Sequence, residues 1–187
     1  MGKRQSLGKK RRIVARRLRG LLLTQRIRSA GGTVGNGLCV ERGVVLRQSP
    51  TPTWRLGDDV SLGVGVVLDV WPNASIEIGS RAKILHHTVL GVAERVVLGD
   101  DVQVAEHCSI RDANHDVRRS SNMATDPLVT NPIMIGEGAW VARGCAVLAG
   151  VTLGEGAVLG ANSVAVADLP AYCVAVGAPA RVVALRR

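Results

Sequence analysis

Aliphatic residues recur every six positions through the C-terminal half of the chain, at Ile135, Val141, Val147, Leu153 and Leu159. The residue after each is mostly small, in the order Gly136, Ala142, Leu148, Gly154 and Gly160; the fourth after each is compact, at Ala139, Cys145, Val151, Ala157 and Ser163. Leu98, Val104 and Ile110 carry the same register upstream, with Val102 and Cys108 in the compact slot. Leu56, Leu62 and Leu68, then Ile78 and Ile84, extend it toward the N-terminus, with the phase broken between the two groups. A strict period of six matches neither the alternation of a flat strand nor the turn of a helix. It matches a coil with three short sides, in which each hexad supplies one side and one corner. The aliphatic then points inward, the small residue after it lets the backbone turn, and the compact residue fills the corner. Coils stacked at the strand spacing of about 4.8 Å make stability a sum of neighbour contacts. The expected fold class is all-β, a three-sided parallel β-helix.

One interruption is large, because Ile110 and Ile135 stand 25 positions apart. Residues 116–132, DVRRSSNMATDPLVTNP, are polar and contain Pro127 and Pro132, which predicts a surface excursion from the prism. Long loops on a rigid scaffold tend to carry function, and His115 stands at the base of this one. The chain divides into an N-terminal arm over 1–30, the prism over 31–167 and a C-terminal cap over 168–187.

The arm reads KKRRIVARRLRGLLLTQRIR, with Val14, Leu18, Leu21 and Leu22 at helical spacing and Arg16, Arg17 and Arg19 between them. This is a basic amphipathic helix, too charged and too short in its apolar run to span a bilayer or act as a secretory signal. It reads either as a solvated helix capping one end of the domain or as a peripheral membrane contact through residues 3–28. It also accounts for the charge. Residues 1–28 hold eleven of the 24 Lys and Arg and no acid, leaving 13 basic against 15 acidic residues in the rest. The net +9 is therefore a property of the arm, and the body is no polyanion-binding surface. A nucleic-acid partner is excluded on that ground, and also because three Trp, one Tyr and no Phe leave few stacking platforms. Cys39, Cys108, Cys145 and Cys173 show no paired spacing. Cys108 and Cys145 read as small corner residues, and a reducing, cytoplasmic setting is expected, at the inner face of the membrane if the arm binds lipid.

The ordered set DANHDV at 112–117, then PIMIGEGAWVARGCAVLAGVTLGEGAVLGANSV at 132–164, then DLPAYCVAVGAPARVV at 168–183, resembles the hexapeptide-repeat acyltransferase family over about residues 98–184. The likeness is to its sugar and polysaccharide O-acetyltransferase branch, which includes maltose, galactoside and colanic-acid enzymes. The resemblance implies a left-handed β-helix, a homotrimer, and acetyl-coenzyme A in the groove between adjacent prisms, with no metal required. It implies that His115 is the catalytic base, and that main-chain groups near Arg143 and Ala161 and the side chain of Arg181 hold the coenzyme. Many relatives carry a Val-Thr-Lys stretch where this chain has Val164, Ala165, Val166 and Ala167. The missing lysine leaves coenzyme contacts at Val166 and Ala167 to the backbone. By family position Trp140 faces the acceptor groove, though the same side chain would serve to cover an exposed coil edge.

Transfer from a thioester needs a base for the acceptor hydroxyl, and an imidazole is the side chain suited to that near neutral pH. His115 takes that role; Asp112 or Asp116 would orient its ring, or stand as solvated loop charges. Asn114 beside it and His86 are expected to contact the acceptor, a sugar or lipid-linked saccharide. His87 and His107 read as ordinary surface residues. Three alternatives remain at this stage: a zinc protein similar to γ-class carbonic anhydrases, for which His107 and His115 are poorly spaced; transfer to an amine or antibiotic acceptor; and a non-catalytic trimeric scaffold.

Overall fold

The structure is a computed structural model that describes residues 2–117 and 122–186, with side chains from residue 11. One helix, α1 (Gly2–Ser29), precedes about six turns of a left-handed parallel β-helix whose strands stack into three faces. The inward residues stack in register. Val34, Leu56, Ile78, Leu98, Ile135 and Leu153 form the first face. Val40, Leu62, Ile84, Val104, Val141, Leu159 and Ala175 form the second. Leu46, Leu68, Leu90, Ile110, Val147 and Ala165 form the third. All but Leu46 are buried, which is what the hexad period requires. The column closes at its C-terminal end with Arg181–Leu185, which runs antiparallel to Cys173–Val176 at the edge of the second face.

The turn residue is not where the repeat placed it. A left-handed backbone occurs three positions after most inward aliphatics at the uninterrupted corners, among them at Gly138, Gly144, Gly150 and Gly156, and at Asp101, His107 and Asn162 in the equivalent place. The glycine directly after the aliphatic has a different duty. A Cβ at Gly136 would lie 2.6 Å from the backbone nitrogen of Glu155 in the next coil, so its smallness lets coils approach.

The broken phase also has a simple origin. From third face to next first face the inward residues run 46 to 56, 68 to 78, 90 to 98, 110 to 135 and 147 to 153, whereas the other two corners keep a step of six up to residue 165. Every insertion therefore lies on one edge of the prism. The largest is an arm of two antiparallel strands, Ala113–His115 and Leu128–Thr130, with His115 opposite Leu128. Of the expected excursion over 116–132, residues 118–121 lie outside those described.

The helix α1 packs through Gly20, Leu23 and Ile27, not through the apolar set singled out from its spacing. A Cβ at Gly20 would fall 1.9 Å from the carbonyl oxygen of Leu38, so the helix lies directly on the first coil. Arg12 donates to Glu41 at 2.9 and 3.2 Å and Arg19 to the carbonyl of Val40 at 3.0 Å, which fixes the orientation.

Candidate active site

The insertion-bearing edge contains a cleft of about 300 Å³, lined by His115, Asn114, Arg111, Trp71, Asp69 and Leu128 among others. His115 and Asn114 stand exposed on the outgoing strand of the arm. Asp69 lies in the third-face strand Val67–Val70 and Trp71 just after it, two coils before the arm, and Arg111 ends the strand that leads into the arm. Gly91 leaves room for the Arg111 side chain, whose Nη1 would lie 2.8 Å from a Cβ there.

Asp112 holds this corner together. It is fully buried, and its carboxylate accepts from the backbone N–H groups of Ala93, Glu94 and Arg95 at 2.7, 2.9 and 2.7 Å. Its own carbonyl accepts from Asn131 N–H at 2.9 Å, on the returning side of the arm. The expectation that Asp112 orients the imidazole or stands as a solvated charge is therefore corrected. A carboxylate saturated by three charge-assisted bonds is a structural anchor beneath the arm.

The other three histidines occupy a different edge, between the second and third faces. His86 Nδ1 accepts from Val64 N–H at 2.9 Å, and the rings of His87 and His107 stack with centroids 5.3 Å apart. Both stacked residues sit at left-handed corner positions, where His is tolerated better than most side chains. Within one chain, then, His86 does not share a cleft with His115, and His107 is likewise apart from it. Among the described residues no three His, Cys, Asp or Glu side chains gather as a metal-ion cage.

Arg143 and Ala161 lie on that same second-to-third edge. Both are exposed, and Arg143 Nε is 3.5 Å from Glu106 Oε1. Trp140 is exposed on the second face between Gln103 and Val158. Val166 and Ala167 are exposed after the last third-face strand, and Arg181 begins the terminal antiparallel strand. The chain thus divides its candidate residues between two edges: His115 and Asn114 on one, His86, Arg143 and Ala161 on the other. Cys108 and Cys145 fill the corner column inside that second edge, donating to the carbonyls of Ala142 and Gly160 at 3.1 and 3.0 Å. The neighbouring Cys145 sulfur and burial hold the Cys108 thiol above the ordinary thiol range, so it stays protonated in its structural slot.

Residues 132–165 match the family model described as bacterial transferase hexapeptide (six repeats). Among curated relatives, this chain is 28% identical over 135 residues to an Escherichia coli K12 protein whose name assigns it provisionally to O-acetyl transfer in lipopolysaccharide biosynthesis, covering 68% of this chain and 69% of that one. A galactoside O-acetyltransferase of the same strain is 32% identical over 92 residues, 47% of this chain and 43% of the relative. Among solved structures, a variant of AntD, an N-acyltransferase of Bacillus cereus in complex with dTDP and coenzyme A, superposes with a TM-score of 0.72 at 20% identity, covering 82% of this chain and 84% of that one. That likeness is one of fold.

The cleft residues Trp71, Asp69 and Arg111 were not singled out by sequence reasoning. The one signal available was the phase break between Leu68 and Ile78, which places an insertion next to the later loop only once coils are stacked.

Proposed function

We propose that the protein is an acetyl-coenzyme A-dependent O-acetyltransferase acting on a hydroxyl of a sugar or surface-polysaccharide precursor. The observation that carries this reading is an exposed imidazole, His115, on an arm whose root is pinned by a buried carboxylate, opening on a cleft with Trp71, Asp69, Arg111 and Asn114. Two relatives whose names give O-acetyl transfer, one in lipopolysaccharide biosynthesis and one to galactosides, support the acceptor class.

In the proposed reaction His115 takes the proton of the acceptor hydroxyl as its oxygen attacks the thioester carbonyl. A backbone N–H stabilises the oxyanion, a contribution of about 3–4 kcal/mol in comparable acyl transfers. Collapse breaks the C–S bond, and the imidazolium returns the proton to the departing thiolate, giving the acetyl ester and free coenzyme A. Arg143, Ala161, Val166, Ala167 and Arg181 would hold the coenzyme, and Asn114, Trp140 and His86 the acceptor. Because His86, Arg143 and Ala161 lie on a different edge of the prism from His115 and Asn114, the reading includes a homotrimer in which the arm edge of one chain meets the second-to-third edge of its neighbour. The basic arm 3–28 adds a peripheral contact with the inner face of the membrane.

The test is thiol release from acetyl-coenzyme A against a panel of sugars, nucleotide sugars and amino sugars. We expect hydroxyl-dependent release that falls by about two orders of magnitude or more in His115→Ala, with an unchanged melting temperature. Full activity in that variant would remove His115 from the reaction, and transfer confined to amino sugars would replace the hydroxyl acceptor with an amine.

A further inference from the structure

Three arginines of α1, Arg16, Arg17 and Arg28, converge with Lys83 of the second face on a cleft of about 800 Å³ between helix and prism. Among the described residues the single carboxylate lining it is Asp59. Asp101, which Lys83 also faces, is already bound by Arg81 at 2.6 Å. The Nε of Arg16 is buried without a hydrogen-bond acceptor, and such a donor in a polar cleft calls for one.

The outer side of the same helix supplies the second observation. Val14, Leu18, Leu21 and Leu22 are each more than half exposed and share the face opposite Gly20, Leu23 and Ile27. Arg17 and Arg28 flank this crest on the cleft side, and Arg19 and Arg26 on the other. An apolar crest bordered by guanidinium groups is the pattern of a helix lying in the plane of a lipid interface, where long basic side chains reach the phosphate layer. No helix among the described residues is long and apolar enough to cross a membrane. A second copy of the chain is the poorer occupant, since it would set eleven basic residues of 1–28 against eleven like ones.

We propose that the cleft binds the phosphate headgroup of an anionic membrane amphiphile while the outward crest of α1 lies in the acyl boundary. The inference rests on the peripheral-membrane reading of the arm and deepens it by naming the ligand group and the prism residue that completes the site. Lys83 is the discriminating residue, because simple adsorption of a basic helix has no use for a lysine on a strand of the prism.

The experiment is sedimentation of the full chain with phosphatidylcholine vesicles with and without phosphatidylglycerol, alongside calorimetric titration with inorganic phosphate. We expect salt-sensitive binding that needs phosphatidylglycerol, and a loss of about fivefold in the partition constant for Lys83→Gln and for Arg16→Gln, the effect of one cation at such a surface. Leu18→Ser with Leu21→Ser should reduce binding further, with thermal melting unchanged in every variant. Wild-type binding by Lys83→Gln would overturn the cleft while leaving a membrane helix. Equal binding to phosphatidylcholine alone, or inorganic phosphate bound as tightly as vesicles, would overturn the anionic amphiphile. A self-association lost in the leucine variants would overturn the lipid in favour of a second copy. None of these readouts uses acetyl transfer, so they stand or fall apart from the role of His115.

Discussion

Asp112 and His115 are three residues apart and do opposite things. The first is buried under three backbone donors, the second is exposed on the arm that those donors anchor. Asp112→Ala strands three N–H groups and should cost about 3–5 kcal/mol, read as a lower urea midpoint, with activity falling because the arm loses its footing. His115→Ala, with no buried contact to lose, should leave the midpoint alone. A midpoint unchanged in Asp112→Ala would show that the corner is held by something else. Which carboxylate serves structure was not legible in DANHDV, since its three partners at 93–95 are remote in sequence and become neighbours only when one coil stacks on the next.

For the helix α1, the spacing predicts an apolar stripe, and the structure shows which face packs on the prism. Val14, Leu18, Leu21 and Leu22 form the expected stripe, yet that stripe faces outward. Gly20, Leu23 and Ile27 make the contact, because only a residue without Cβ lets the helix axis come down on the Leu38 carbonyl. Gly20→Ala sets two effects against each other. Alanine favours the helix by about 1 kcal/mol, but its methyl would sit 1.9 Å from that oxygen, a clash that relaxes only by lifting the helix. The expected outcome is faster tryptic cleavage within residues 11–28 with the prism intact. An unaltered digestion pattern would place the docking contact elsewhere.

As a whole the molecule is a rigid three-sided column with its irregularity gathered on one edge. The proposed trimer belongs to this scale. The terminal strand Arg181–Leu185 is exposed along its whole length, with Val182, Val183 and Leu185 exposed and Tyr172 hydrogen-bonded to the residue after it, apolar surface that association would cover. Light scattering should return three times the chain mass, and Val183→Asp with Leu185→Asp should lower it and reduce activity together. A fully active monomer would contradict a site shared between chains. The sequence by itself determined the column, because a six-residue period of aliphatic and compact residues has one regular solution and each coil reads only its neighbours. The excursion after Ile110 was legible for the same reason, as a step that fails to be six. Only the tertiary structure decided that the insertions share an edge, that His115 and His86 do not, and that the apolar stripe of α1 is free. Those are relations between residues a full turn or more apart, and sequence order carries no record of what stacking brings side by side.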